Sequence, residues 1–91
     1  MRRIELKKVA AKFIEKVPAK HARQITEKLL SLAIDPFPPD SKRLSGAPEL
    51  LRVDVGEYRI IYQVEPNTVW VPIIGKRNDD DVYRQVHRMR R

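Results

Sequence analysis

Apolar residues Leu6, Val9, Ala10, Phe13, Ile14 and Val17 recur at the i, i+3, i+4, i+7 spacing of one helical face, while Lys7, Lys8, Lys12, Glu15 and Lys16 take the other. This pattern predicts a first helix, preceded by a short strand over residues 2–5. Pro18 interrupts the periodicity, and Ala22, Ile25, Leu29, Leu32 and Ala33 restart it, so a second helix of roughly four turns follows a tight connection. Two helices joined in this way form an antiparallel hairpin. Residues 35–41 contain Pro36, Pro38 and Pro39, cannot continue a helix, and must cross in extended form to the second half of the chain.

From Leu50 the period changes to two. Leu51, Val53 and Val55 alternate with Arg52 and Asp54, and Tyr58, Ile60, Tyr62 and Val64 alternate with Arg59, Ile61 and Gln63. Gly56-Glu57 between them has the glycine-first form of a type II′ hairpin, which pairs Val55 with Tyr58, Asp54 with Arg59 and Arg52 with Ile61. Arg52, Asp54 and Arg59 then share one face. Pro66-Asn67 makes the next turn, and Val69, Val71 and Ile73 carry the core face of a third strand that ends near Gly75. The same counting sets Trp70 opposite Gln63 on the arginine-bearing face. Pro72 cannot donate a ladder hydrogen bond and so marks a bulge or an outward-facing position. Residues 78–81 (Asn-Asp-Asp-Asp) read as a helix start, with Val82, Val86 and Met89 as the thin apolar stripe of a short final helix. The expected architecture is one α+β domain over residues 1–91: a helical hairpin covering one face of a small antiparallel sheet, the other face open, and a short basic C-terminal helix.

Charge sharpens this picture. Nineteen Lys and Arg against twelve Asp and Glu give a net charge of +7 and a pI near 10.1, which favours a polyanionic partner, with nucleic acid the commonest. The absence of cysteine excludes disulfides, thiolate metal sites and a cysteine nucleophile, and suits a reducing cytoplasm. An acidic protein or an anionic membrane surface would also fit this charge, but no membrane is expected as a partner, and no apolar run is long enough to span a bilayer. His21 and His87 lack ligand-spaced companions, and neither a metal nor another cofactor is expected. His21 reads as a solvated surface histidine, whereas Tyr58 and Tyr62 share the parity of Val53 and Ile60 and read as core.

The segment from Leu44 to Tyr62 (Leu-Ser-Gly-Ala-Pro-Glu-Leu-Leu-Arg-Val-Asp-Val-Gly-Glu-Tyr-Arg-Ile-Ile-Tyr) resembles the signature of the RelE/ParE toxin family, in which an L-x-G turn precedes an arginine-bearing strand and a G-x-Y-R-[IV]-[IV]-Y hairpin. Ile74-Gly75-Lys76-Arg77 and Val82-Tyr83 resemble its closing elements. The resemblance implies a cytoplasmic, RelE-like toxin of a type II toxin–antitoxin system that enters the A site of a 70S-type ribosome and cuts messenger RNA, restrained by a RelB-like antitoxin. By position it implies that Arg59 holds the scissile phosphate, Arg77 lies near the leaving oxygen, Tyr83 orients or stacks on the substrate, and Arg52 occupies the place of a proton-transferring lysine.

Cutting RNA without a metal requires a base for the 2′-hydroxyl, cations for the phosphorane and an acid for the 5′-oxygen. Arginine supplies a planar fork of donors for phosphate oxygens but is a poor base. Asp54 is either the missing carboxylate base or a cross-strand ion-pair partner holding Arg59, and we prefer the second. Trp70 can stack on a base or pack beneath the last helix or the antitoxin; Lys76, Arg84, the lysines of the first helix and the arginines of residues 84–91 read as RNA contacts. Two other functions fit the same chain: ParE-like poisoning of DNA gyrase, and a basic module that binds nucleic acid without breaking a bond.

Overall fold

The computed structural model describes residues 1–78 and 81–89. The chain runs β1 (Arg3–Leu6), α1 (Lys8–Lys16), α2 (Ala19–Ile34), β2 (Lys42–Leu44), β3 (Ala47–Val55), β4 (Tyr58–Val64), β5 (Thr68–Lys76) and α3 (Asp81–Met89). Pro18 stands at the start of α2, where its fixed φ and missing N–H cost nothing. Residues 35–41 form the crossing segment, fastened where the buried Tyr62 hydroxyl donates to the Pro36 carbonyl at 2.8 Å. That burial also holds the Tyr62 phenol above its ordinary pKa of 10.0.

The sheet is mixed, which corrects the antiparallel expectation. Its order is β1-β5-β4-β3-β2, and β1 lies parallel to β5 with Ile4 opposite Val69 and Leu6 opposite Val71. A parallel partner needs a long crossover, so it is distant in sequence, and alternation within β1 carries no trace of it. The expected hairpin register is found: Val55 faces Tyr58, Asp54 faces Arg59 and Arg52 faces Ile61. Gly56 has a φ of 56° and no non-glycine residue among those described has positive φ, as a glycine-first turn requires. At the next turn the Glu65 N–H donates to the Thr68 carbonyl at 2.8 Å.

Pro72 does mark a bulge. Ile61 pairs with Ile73 and Gln63 with Trp70, so Val71 and Pro72 together oppose Tyr62. The extra residue reverses the parity of β5. Val69, Val71 and Ile74 therefore face α1 and α2, and Ile73, expected in that core, turns to the other side.

The second correction concerns that other side, which is not wholly open. Over the α1/α2 face, Ile25, Leu29 and Leu32 pack on Val53, Ile60 and Tyr62. On the opposite face Leu44, Leu50, Ile61 and Ile73 form a smaller core closed by Val82 and Val86 of α3. The acidic start of the last helix at residues 79–80, and Arg90 and Arg91, lie outside the described residues. His21 is also corrected: it is half-buried, its Nδ1 2.7 Å from the Tyr58 hydroxyl and its ring edge-on to that tyrosine. Sequence placed His21 among charged neighbours on a helix; only packing brings that face of α2 against the end of β4.

Candidate functional site

The candidate site lies on the second face, at the hairpin end of β3 and β4 and beside α3. There Arg59 is held from two sides. Its Nε donates to Asp54 Oδ1 at 2.7 Å and its Nη2 to Asp54 Oδ2 at 3.2 Å, a bidentate pair produced by the cross-strand register. Its Nη1 donates to the Tyr83 hydroxyl, and the guanidinium carbon lies 5.8 Å from that ring's centroid. The Arg59 side chain is only 13% exposed and Asp54 34%. Three of the five guanidinium N–H groups are thereby used among the described residues, which leaves two for a ligand.

The electrostatics follow this geometry. The hydrogen bond from Arg59 lowers the Asp54 pKa most; burial opposes the shift, and the charges of Arg59, Arg52 and Arg77 reinforce it. Reciprocally, the bond to Asp54 raises the Arg59 pKa against the effect of burial, with Tyr83 contributing in the same direction. Asp54 thus lies within the field of three arginines. Arg52 stands two residues from it on the same face, about 7 Å along the strand. Arg77 follows β5, and its backbone N–H donates to the Glu57 carbonyl at 2.9 Å, which ties it to the hairpin.

Tyr83 reaches Arg59 because α3 lies very close to β5. Gly75 is the partner of Arg59 across the ladder, and a Cβ there would come within 2.5 Å of Val82 Cγ2. Glycine is required at this point by the approach of the helix. A glycine inside a strand pattern was the available signal for it. Sequence reasoning also missed β2, a three-residue strand, and with it Lys42, which lies directly opposite Arg52. Two cations facing each other across a ladder repel, so the pair favours an anionic ligand over stability.

The other candidates lie elsewhere. Trp70 is half-buried on the arginine-bearing face, but five residues of strand separate it from Gly75, roughly 16 Å. Lys76 pairs with Tyr58 and is exposed, so it leaves the sheet on the side opposite Arg59. Arg84 is exposed on α3, one residue beyond Tyr83. Among the described residues no three histidine or acidic side chains are grouped to hold a metal ion, and no helix is long and apolar enough to cross a membrane.

A two-helix layer on a five-stranded mixed sheet, with a cationic corner closed by a terminal helix, defines the RelE-like toxin fold. Solved structures share it. The archaeal RelE–RelB complex from Pyrococcus horikoshii OT3 is 26% identical, with a TM-score of 0.73 over 84% of this chain and 94% of that one. The intact E. coli RelBE toxin–antitoxin complex is 25% identical, with a TM-score of 0.73 over 84% and 96%. A mutant of the E. coli toxin RelE in the free state is 22% identical and superimposes with a TM-score of 0.81 over 99% and 98%, a likeness of fold. Among curated proteins no sequence matches. The family profile for ParE toxins of type II toxin–antitoxin systems matches residues 4–81. The chain belongs to this family, and is a type II toxin of the RelE/ParE superfamily.

Proposed function

We propose that the chain is a ribosome-dependent, metal-independent endoribonuclease that cuts messenger RNA in the A site. The observation that carries this reading is Arg59, fixed by Asp54 and Tyr83 on a face shared with Arg52 and close to Arg77. The 2′-oxygen attacks the adjacent phosphorus, the bond to the 5′-oxygen breaks, and the 2′-hydroxyl proton is finally accounted for on that 5′-oxygen. Arg59 and Arg77 bind the non-bridging oxygens and stabilise the phosphorane charge. Arg52 and Lys42 neutralise flanking phosphates. Tyr83 positions Arg59 through its hydroxyl and offers its ring to the substrate.

Asp54 acts in this scheme as a positioning residue. A carboxylate in a bidentate ion pair, with a lowered pKa, is a weak proton acceptor. The ribosome supplies the alignment of the 2′-oxygen, and positioning of this kind contributes about 7–11 kcal/mol to a barrier. Free RNA is therefore a poor substrate. The partner in the resting state is an antitoxin of the RelB kind, folding over the cationic surface of a chain with net charge +7; the Pyrococcus horikoshii relative and one of the two E. coli relatives are themselves toxin–antitoxin complexes. The chain acts in the cytoplasm, where its ribosomal target lies.

A second reading is ParE-like inhibition of DNA gyrase. It is favoured by the matching family profile and by the engagement of Arg59 with Asp54, which leaves the corner without a free base. Primer extension on a messenger held in programmed ribosomes separates the two. Ribosome-dependent cuts by the wild type that disappear with Arg59→Ala, and are absent on free RNA, support the nuclease. Intact messenger at high toxin concentration, together with a positive gyrase-cleavage assay, supports the alternative.

A further inference from the structure

Six large apolar side chains stand exposed among the described residues, and four of them, Met1, Leu30, Ile34 and Phe37, gather at the C-terminal end of α2. Leu30 and Ile34 lie one turn apart on the solvent face of that helix, 57% and 72% exposed. The chain returns to this place twice. Just beyond the helix the Phe37 N–H donates to Asp35 Oδ1 at 3.1 Å, and the Arg2 N–H donates to the Ala33 carbonyl at 2.9 Å, which brings Met1 alongside. Single exposed apolar residues are ordinary, but four together make a patch on the order of several hundred Å², the size that marks an interaction surface. It lies on the α1/α2 side of the sheet, away from the Arg59 corner.

We infer that this patch is a self-association surface, on which a second copy of the chain docks its own α2 antiparallel about a two-fold axis. Charge selects that partner. Residues 24–41 carry Glu27, Asp35 and Asp40 against Lys28, a net charge of −2, so the remaining residues of a +7 chain carry +9. A polyanion, whether RNA or an acidic protein, is drawn to those other surfaces, and a basic partner is the one that fits here. α2 is itself polarised, with Lys20 and Arg23 exposed near its start and Asp35 exposed at its end. Antiparallel pairing sets the basic half of each helix toward the acidic end of the other, twice over, as an isologous contact requires. The apolar positions are self-complementary too. With the axis midway between Leu30 and Ile34, Leu30 of each copy meets Ile34 of the other, and Phe37 and Met1 close the margins. A standard interface buries about 800 Å² per partner, of which the patch supplies roughly half, so the dimer is weak and reversible, with a Kd on the order of 100 μM. It leaves both Arg59 corners open.

The test is sedimentation equilibrium of the full chain from about 5 to about 500 μM, a range that brackets the expected Kd, beside Leu30→Glu, Ile34→Lys and an equimolar mixture of the two variants. The wild type should move from the monomer mass of 10.7 kDa toward twice that value as concentration rises. It should do so more readily at high salt, because screening removes the repulsion between two basic chains and leaves apolar burial intact. Each variant alone should dimerise at least about tenfold more weakly with an unchanged Tm, since both positions are exposed. The mixture should associate again: in the mixed dimer the new carboxylate faces the new ammonium at one contact, and Ile34 faces Leu30 at the other. A wild type that stays monomeric throughout overturns the inference, as does a dimer that both variants retain or a mixture that fails to recover. Leu30 and Ile34 methyl NMR signals that move with a single-stranded oligoribonucleotide, and not with the protein's own concentration, would give the patch to nucleic acid and overturn it as well.

Discussion

Gly75→Ala should damage the protein through the helix that the glycine admits. The added Cβ would come within 2.5 Å of Val82 Cγ2, whereas carbon atoms in contact stand 3.5–4.0 Å apart. Val82 is 2% exposed and stiff at χ1, so it has little room to turn aside. Either the core accepts the overpacking, at about 1–3 kcal/mol, or α3 lifts and Val82 and Val86 lose part of their burial at a similar cost. Taking about 2 kcal/mol, Tm should fall by about 8–16 °C in a chain of this size. The lifting also draws the Tyr83 hydroxyl from Arg59, so messenger cutting should fall in the same variant. The assay is urea and thermal unfolding of wild type, Gly75→Ala, Val82→Ala and the double variant. The smaller side chain at 82 relieves the clash, so the double variant should be more stable than the two single losses add up to, by about 1 kcal/mol. A Gly75→Ala protein within about 0.5 kcal/mol of wild type, or strict additivity in the cycle, would refute the close approach.

Four further outcomes follow from the same geometry. Asp54→Asn should cost about 1–2 kcal/mol at pH 7, the worth of charge-assisted bonds reduced for partial exposure. Because the folded pKa of Asp54 is depressed, its stabilisation is complete above the ordinary value of 3.8 and is lost as pH falls through the lower folded value. The difference between wild type and Asp54→Asn in chemical denaturation should therefore close below about pH 3.8, and a gap that stays constant to pH 2 would count against the pair. Lys42→Ser removes a like-charge neighbour of Arg52, so it should leave stability unchanged or raise it by up to about 0.5 kcal/mol, and lower the salt slope of single-stranded RNA binding by about 0.7. Tyr83→Phe keeps the ring and loses the bond to Arg59, and should slow cutting about tenfold in the ribosome assay with little change in Tm. Tyr58→Phe should cost about 0.5–1.5 kcal/mol in urea unfolding through the lost 2.7 Å bond to His21.

How legible the site was depended on the distance over which its contacts act. The Asp54–Arg59 pair could be read from residue types alone, because a two-residue turn at Gly56-Glu57 leaves a single register and parity then assigns every side chain to a face. Tyr83 was reachable only through a motif. Its bond to Arg59 spans 24 residues and requires α3 to settle over Gly75, which no local period describes. His21 failed for a related reason: its charged neighbours along α2 said surface, while the packing of that helix on the sheet placed it against Tyr58. Ile73 failed by one position, because parity counting carries no term for the residue that the Pro72 bulge inserts.

Hydrophobic period and turn chemistry thus determined both N-terminal helices, the central hairpin, the final helix and the presence of three charges, Arg52, Asp54 and Arg59, on one sheet face, since these depend on backbone geometry within a few residues. The tertiary structure alone decided that β1 returns parallel to β5, that β2 sets Lys42 against Arg52, and that α3 closes a second core. Those contacts join residues far apart in the chain, and their free energy comes from burying surfaces against one another. A sequence encodes such surfaces only in pieces, and the pieces acquire partners when the chain is folded.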